Sequence, residues 1–325
     1  MRQNIMKKLF KLLFLATLLP VAAIAQTNFP NKPITLLVGS APGGSNDTFA
    51  RTIGKHMQDA LGVSVVVENK PASGGVLANS LVAKAPADGY TLVVLSSTFT
   101  TGAAVRKNLQ YDAVKSFAPV SMLARGPLLI TVGNNTPFKT LPELVTFAKA
   151  NPGKLNFGTS GVGSINQFAT EIFSDVANIK MTHVPYKGMG PAVNDLMSGQ
   201  IDMIFASAPS LLNHVNNEKI RGLSVTTAKR SPIAPKIPSL DEYGYGAAAV
   251  DLWWGILAPA GTPAEVVQKL NTTINKIISS DQMKEFFLKQ GASPDAMTPA
   301  EFSAHIANEL ARWKRVAATA NIQAE

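Results

Sequence analysis

Seven short apolar runs, "ITLLV", "VSVVVE", "YTLVVLSS", "LLITVG", "LNFGTS", "IDMIFAS" and "GLSVTT", alternate along this chain with segments of helical period. The helical segments include Asp47 to Leu61, Leu141 to Ala150, Ile165 to Val176 and Ala192 to Ser198. Strand-length runs that hand over repeatedly to helices predict an α/β fold with mostly parallel sheets. Four of the handovers are rich in glycine: "APGGSND" (41–47), "PASGGVLANS" (71–80), "GTSGVGSINQ" (158–167) and "PYKGMGPAVND" (185–195). Ligands of open α/β sheets bind beyond the carboxyl ends of strands. If the first and middle thirds each form a sheet, the two pairs of turns can face one another across a cleft. The last third differs: two Thr-Pro openings lead into amphipathic helices, with Thr expected at N-cap and Pro at N1, which read as covering helices.

With 325 residues and 46% hydrophobic content, the chain can bury a large core and is long enough for two domains. Its first segment reads as a Sec-type signal peptide over residues 1–25: four basic residues, the apolar run "LLFLATLLPVAAIA", and a small-x-small site before Gln26. The run is short for a membrane span and contains Pro20. Beyond it remain 26 basic and 21 acidic residues, a net of +5. These charges are scattered, with no basic run interleaved with aromatics, so no nucleic acid is expected as a partner. The absence of cysteine excludes disulfides, thiol catalysis, thiolate metal sites and a lipid-bearing cysteine.

The first backbone N–H groups of a helix lack intrahelical partners and carry about half a positive charge. "PGGSN" at a strand-to-helix handover is therefore a fit nest for an oxyanion, either phosphate or carboxylate. "GxxxxGK[ST]" is absent, and "APGGSND" does not fit "GxGxxG". The plain alternative is that Ser45 or Asn46 only caps the helix and Asp47 complements its dipole. Signs of catalysis are weak. His56, His183, His214 and His305 are widely spaced, "GTSGVG" has Val162 where a nucleophile elbow needs glycine, and no carboxylate pair stands out. Neither a metal nor a cofactor is expected.

The stretches "FPNKPITLLVGSAPGGSNDTFAR", "VVVENKPASGGVLANSLVAKAPADGYTLVVLSS", "YDAVKSFAPVSMLA", "TLPELVTFAKANPGKLNFGTSGVGS", "VPYKGMGPAVNDLMSGQIDMIFAS", "LWWGILAPAGTP" and "TPAEFSAHIANELARWKRV" fix an order and spacing over about 29–322. In these the chain closely resembles the extracytoplasmic solute receptors of tripartite tricarboxylate transporters, the Bug-type receptors. The resemblance implies a type II periplasmic binding-protein fold of two α/β lobes, 27–124 with 248–325 and 125–247, closing like a Venus flytrap on a small organic acid. It further implies a periplasmic monomer, not an enzyme, that delivers the acid to integral membrane permease subunits. An exported hydrolase or isomerase using the same cleft is the alternative.

In such receptors backbone N–H groups, hydroxyls and ordered water hold the carboxylate, without a required arginine. The expected ligand contacts are Ser40, Ala41, Gly43, Gly44, Ser45, Asn46 and Asp47 in the first turn and, because cleft residues come from strand ends, Ser96 and Ser97. Thr159, Ser160, Gly161, Ser164 and Gln167 would contribute from the third turn, Lys187 and Gly188 from the fourth, Ala206 and Ser207 from another strand end, and Trp253 from the crossover. Two positions depart from the family pattern. Ser40 stands where an aromatic residue is common, and Gln167 where a histidine often follows "GxGS".

Overall fold

The computed structural model describes residues 29–319 and 322. The expected signal peptide lies outside the described residues. The strands and helices belong to the unit Lys32–Glu325.

Its strands are β1 (Ile34–Val38), β2 (Val65–Asn69), β3 (Thr91–Ser96), β4 (Phe117–Gly133), β5 (Asn156–Thr159), β6 (Thr182–Pro185), β7 (Met203–Ser207), β8 (Ile220–Val225), β9 (Asp251–Pro259) and β10 (Ser293–Pro294). Its helices are α1 (Ser45–Leu61), α2 (Val76–Ala83), α3 (Thr98–Val105), α4 (Leu141–Ala150), α5 (Ile165–Ala177), α6 (Met189–Ser198), α7 (Ala208–Asn216), α8 (Ala264–Ile278), α9 (Asp281–Lys289) and α10 (Pro299–Thr319).

The strands are hydrogen-bonded in the order β2-β1-β3-β9-β4-β7-β5-β6, with β8 and β10 also paired to β4. β1 pairs in parallel with β2 and β3, and β5 in parallel with β6 and β7. The centre is antiparallel, because β4 and β9 run against each other and β9 runs against β3. The sheet is therefore mixed rather than mostly parallel. The sequence signal was present but ambiguous: "DLWWGILAP" is buried over all but its first residue, so it lacks the alternation that marks a half-exposed strand.

β4 is shared between two sets of strands. Phe117 to Pro127 pair with β9, whereas Leu128 to Gly133 pair with β7 and β8. Register then fixes where the strand ends lie. Ser96, the last residue of β3, is opposite Trp254, which is opposite Ala124 of β4. Ser207, the last residue of β7, is opposite Leu128. Four residues of strand, about 13 Å, separate these two levels. β3 runs in the direction of β4 and β7 runs against it, so their carboxyl ends point at each other.

A separate core lies on each side of this level. One gathers Val93, Leu95, Met122, Trp253, Leu257, Phe302 and Ile306, and the other Leu129, Leu196, Ile201, Ile204, Leu211 and Ile237. Removing each such side chain from water is worth roughly 1.5–3 kcal/mol. Helix α10 covers the first core. The Glu309 carboxylate accepts hydrogen bonds from the indole N–H of Trp253 (2.8 Å), that of Trp313 (3.0 Å) and the Thr100 hydroxyl (3.2 Å).

The start of α10 follows the sequence: Thr298 and Glu301 form a reciprocal capping box. The other Thr-Pro opening does not. Pro263 itself is the N-cap of α8, and the Thr262 hydroxyl donates to the Pro259 carbonyl.

Two predictions follow from packing. Gly39 lies against Gly75 so closely that a Cβ at Gly39 would stand 2.4 Å from the Gly75 Cα. Gly39→Ala should lower the unfolding free energy in urea by about 1–3 kcal/mol, as overpacking against backbone does. His183 of β6 stacks on Phe157 of β5, and burial lowers its imidazole pKa. In the folded chain it resists the proton that the unfolded chain accepts below about pH 6.5. Its contribution is complete above that value and is lost as the pH falls toward the folded pKa. Urea titrations from pH 5 to 7 should show a shallower rise of stability with pH in His183→Gln than in the unaltered protein.

Candidate functional site

The first turn joins β1 to α1. Gly43 takes a φ of +86°, which only glycine adopts readily, and this turns the chain into the helix at Gly44. Asp47 holds the turn from inside the helix. Its Oδ2 accepts from the Gly43 N–H (2.9 Å) and from Arg51 Nε (3.1 Å), and its Oδ1 accepts from Asn69 Nδ2 (2.9 Å). Burial alone would raise this carboxyl's pKa, but the bonds from Arg51, Gly43 and Asn69 outweigh it and the pKa is lowered. Asp47 is thus part of the turn's scaffold, with both carboxylate oxygens engaged.

No side chain caps the N-terminus of α1. The N–H groups of its first turn therefore remain available. Beside them, Ser40 Oγ and Asn46 Oδ1 are buried without a hydrogen-bond partner. Buried polar atoms of this kind are uncommon in a folded chain and call for an explanation. Ser45 Oγ accepts from the Trp254 indole at 3.1 Å, and its own proton remains free to donate. Ala41 and Gly43 are exposed at the lip of the turn.

The two crossover tryptophans lie on opposite faces of β9. Trp253 is wholly buried in the first core, edge-on to Phe302, so it does not wall a cleft. Trp254, on the other face of β9, reaches Ser45 and packs edge-on against Phe49 of α1 at 4.7 Å. It fixes the helix end beyond the strands.

The third turn is largely closed upon itself. Thr159 Oγ1 lies 2.7 Å from His183 Nε2 and accepts from the Gly161 N–H. Ser160 donates to Asn166 Oδ1 at 2.7 Å. Ser164 caps α5 by accepting from the Gln167 N–H, and Gln167 Oε1 accepts from the Gly163 N–H at 2.8 Å. Thr159, Ser160, Ser164 and Gln167 thus build the turn, and their hydroxyl and amide oxygens are engaged.

Ser97 is likewise engaged: its Oγ accepts from the Trp253 N–H, locking β3 to β9. The Ser96 hydroxyl, half-buried at the strand end, has no hydrogen bond within the described residues. At the end of β7, Ala206 is fully buried and Ser207 pairs through its hydroxyl with Ser210. Gly188 is the uncapped N-cap of α6, at φ +118°, whereas Lys187 is exposed.

The structure nevertheless draws all four turns into one seam. Gly39 touches Gly75, and the neighbouring Gly74 faces the Arg106 guanidinium. Arg106 donates to the Val162 carbonyl (3.2 Å), and Gly161 abuts the Tyr186 carbonyl. Arg106 was not singled out from sequence. An open pocket of about 440 Å³ lies elsewhere, lined by Asn134, Val215, Glu218, Ile220, Arg221 and Gly222, and shares no residue with the turns. Among the described residues no group of three or more His, Cys, Asp or Glu could hold a metal ion, and no helix is long and apolar enough to cross a membrane.

Known proteins share this fold. The sequence profile described as "Tripartite tricarboxylate transporter family receptor" (TctC) matches residues 49–322. Protein BugT of Bordetella pertussis is 34% identical over 306 residues, 94% of each chain. The solved structure of R. palustris Rpa4515 with adipate superposes with a TM-score of 0.88 at 34% identity, covering 91% of this chain and 99% of that one. MatC from Rhodopseudomonas palustris, with bound malate, gives a TM-score of 0.83 at 29% identity, covering 89% and 99%. The fold is that of the periplasmic binding proteins. On the profile, the relatives and the fold together, this chain belongs to the tripartite tricarboxylate transporter receptor family, the Bug-type periplasmic solute-binding proteins.

Proposed function

We propose that the mature chain, cut from its signal peptide near Ala25–Gln26, is a monomeric receptor that captures a small dicarboxylate and delivers it to the membrane permease of a tripartite tricarboxylate transporter. The two lobes are 27–124 with 248–325 and 125–247, joined through β4 and the crossover before β9. The acid bridges them, and because only a bridging ligand satisfies donors on both sides, its binding shifts the population toward the closed form. The net charge of +5 on the mature chain favours the approach of an anion.

One observation carries the reading: the N-terminus of α1 is uncapped, and Ser40 Oγ and Asn46 Oδ1 are buried beside it without partners. A carboxylate there accepts from the helix N–H groups and the Ser40 and Ser45 hydroxyls. The Asn46 amide, rotated by half a turn, presents Nδ2. Replacement of an aromatic ring by Ser40 makes this end of the site roomier and more polar. The acids bound by Rpa4515 and MatC support the ligand class.

Calorimetry should find binding of malate, adipate or a related diacid to protein freed of retained ligand. The acid should be recovered chemically unchanged. Gly44→Val, at a φ of −76° that valine tolerates, should weaken that binding at least tenfold without altering the circular dichroism, because its methyl groups cover the approach to the N–H groups. Turnover of the acid, or unchanged affinity in folded Gly44→Val, would overturn the proposal.

A further inference from the structure

Arg106 follows α3 directly, and its guanidinium lies where the second and third glycine turns meet. Glycines make the room. A Cβ at Gly102 would stand 2.4 Å from Nη1, one at Gly74 would stand 3.4 Å from Nη2, and one at Gly163 would stand 3.5 Å from Nη1. The only acceptor it reaches among the described residues is the neutral Val162 carbonyl. No carboxylate of the described residues forms an ion pair with it.

Arginine has five N–H donors, and this half-buried guanidinium spends them within the described residues on a single neutral acceptor. Its position adds to the argument. One Cα step, about 3.8 Å, separates Gly74, which it faces, from Gly75, which Gly39 touches at the entry to the first turn. Gly74 and Gly75 thus link the guanidinium to the entry of the first turn, whose helix end is uncapped. Burial lowers the guanidinium's pKa, with Tyr111 partly opposing, and a carboxylate beside it would offset that cost.

We infer that Arg106 binds the second carboxylate of the ligand and makes the receptor selective for dianionic over monoanionic acids. This rests on the carboxylate-receptor reading above. The first carboxylate is held at the end of α1 by neutral donors, and the second forms a charge-assisted pair with the guanidinium, whose planar fork suits a carboxylate. The Val162 bond ties the same guanidinium to the third turn, so the pair forms where the two sides of the site meet.

The test compares straight-chain diacids of four, five and six carbons, each with its own monoamide, by calorimetry. The unaltered protein should bind its best diacid at least tenfold more tightly than the monoamide. Arg106→Gln should cut that ratio at least tenfold, and Arg106→Lys, which keeps the charge, should retain part of it. A ratio near one in the unaltered protein overturns the inference without any variant. An unchanged ratio in Arg106→Gln also overturns it, whether the two affinities fall together, as for a latch between turns, or stay put. If no acid of either kind binds, the carboxylate-receptor reading fails with it. If acids bind without discrimination, only the role of Arg106 is lost.

Discussion

The architecture depends on one strand that belongs to two sets of neighbours. β4 pairs with β9 over its first part and with β7 and β8 over its last, and the change of partner between Pro127 and Leu128 sets the carboxyl ends of β3 and β7 face to face. β1 runs parallel to β3 and β5 parallel to β7, so the first and third glycine turns lie at the same two facing ends. A slip of one residue would turn Trp253 and Trp254 to each other's faces, taking an indole from the core and the Ser45 contact from α1.

Around that level the turns separate into two kinds. The third turn satisfies itself, through Thr159, Ser160, Ser164 and Gln167. The first does not: Asp47 and Asn69 hold its backbone from behind and leave the front of the helix end uncapped. A rigid turn with free donors is already arranged for an anion, so little ordering has to accompany binding. The proposed pairing with Arg106 adds charge where neutral donors alone would not separate a diacid from a monoacid.

Much of this was legible in the sequence, and what was not has physical causes. The seven apolar runs located β1, β2, β3, the second half of β4, β5, β7 and β8, and the order of motifs identified the family. The stretch that forms β9 was read only as the crossover between lobes, and its antiparallel place between β3 and β4 is set by pairing that no local pattern records. Sequence also cannot say whether a hydroxyl faces a ligand or its own backbone. Ser164 caps α5 and Ser97 bonds Trp253, although each stands where a ligand contact was expected. The adjacent indoles Trp253 and Trp254 could not be assigned to core and turn before the register of β9 was known. Arg106 escaped notice because most of its setting, Gly74, Val162 and Gly163, is distant along the chain, and Gly102 four residues before it carries no signal alone.

The most direct test of the account is a crystal structure of the protein with a diacid bound. The account predicts one carboxylate at about 2.7–3.2 Å from backbone N–H groups of Gly44 to Asp47, with the Ser40 hydroxyl donating to it. A carboxylate bound elsewhere, with the end of α1 facing only water, would contradict it.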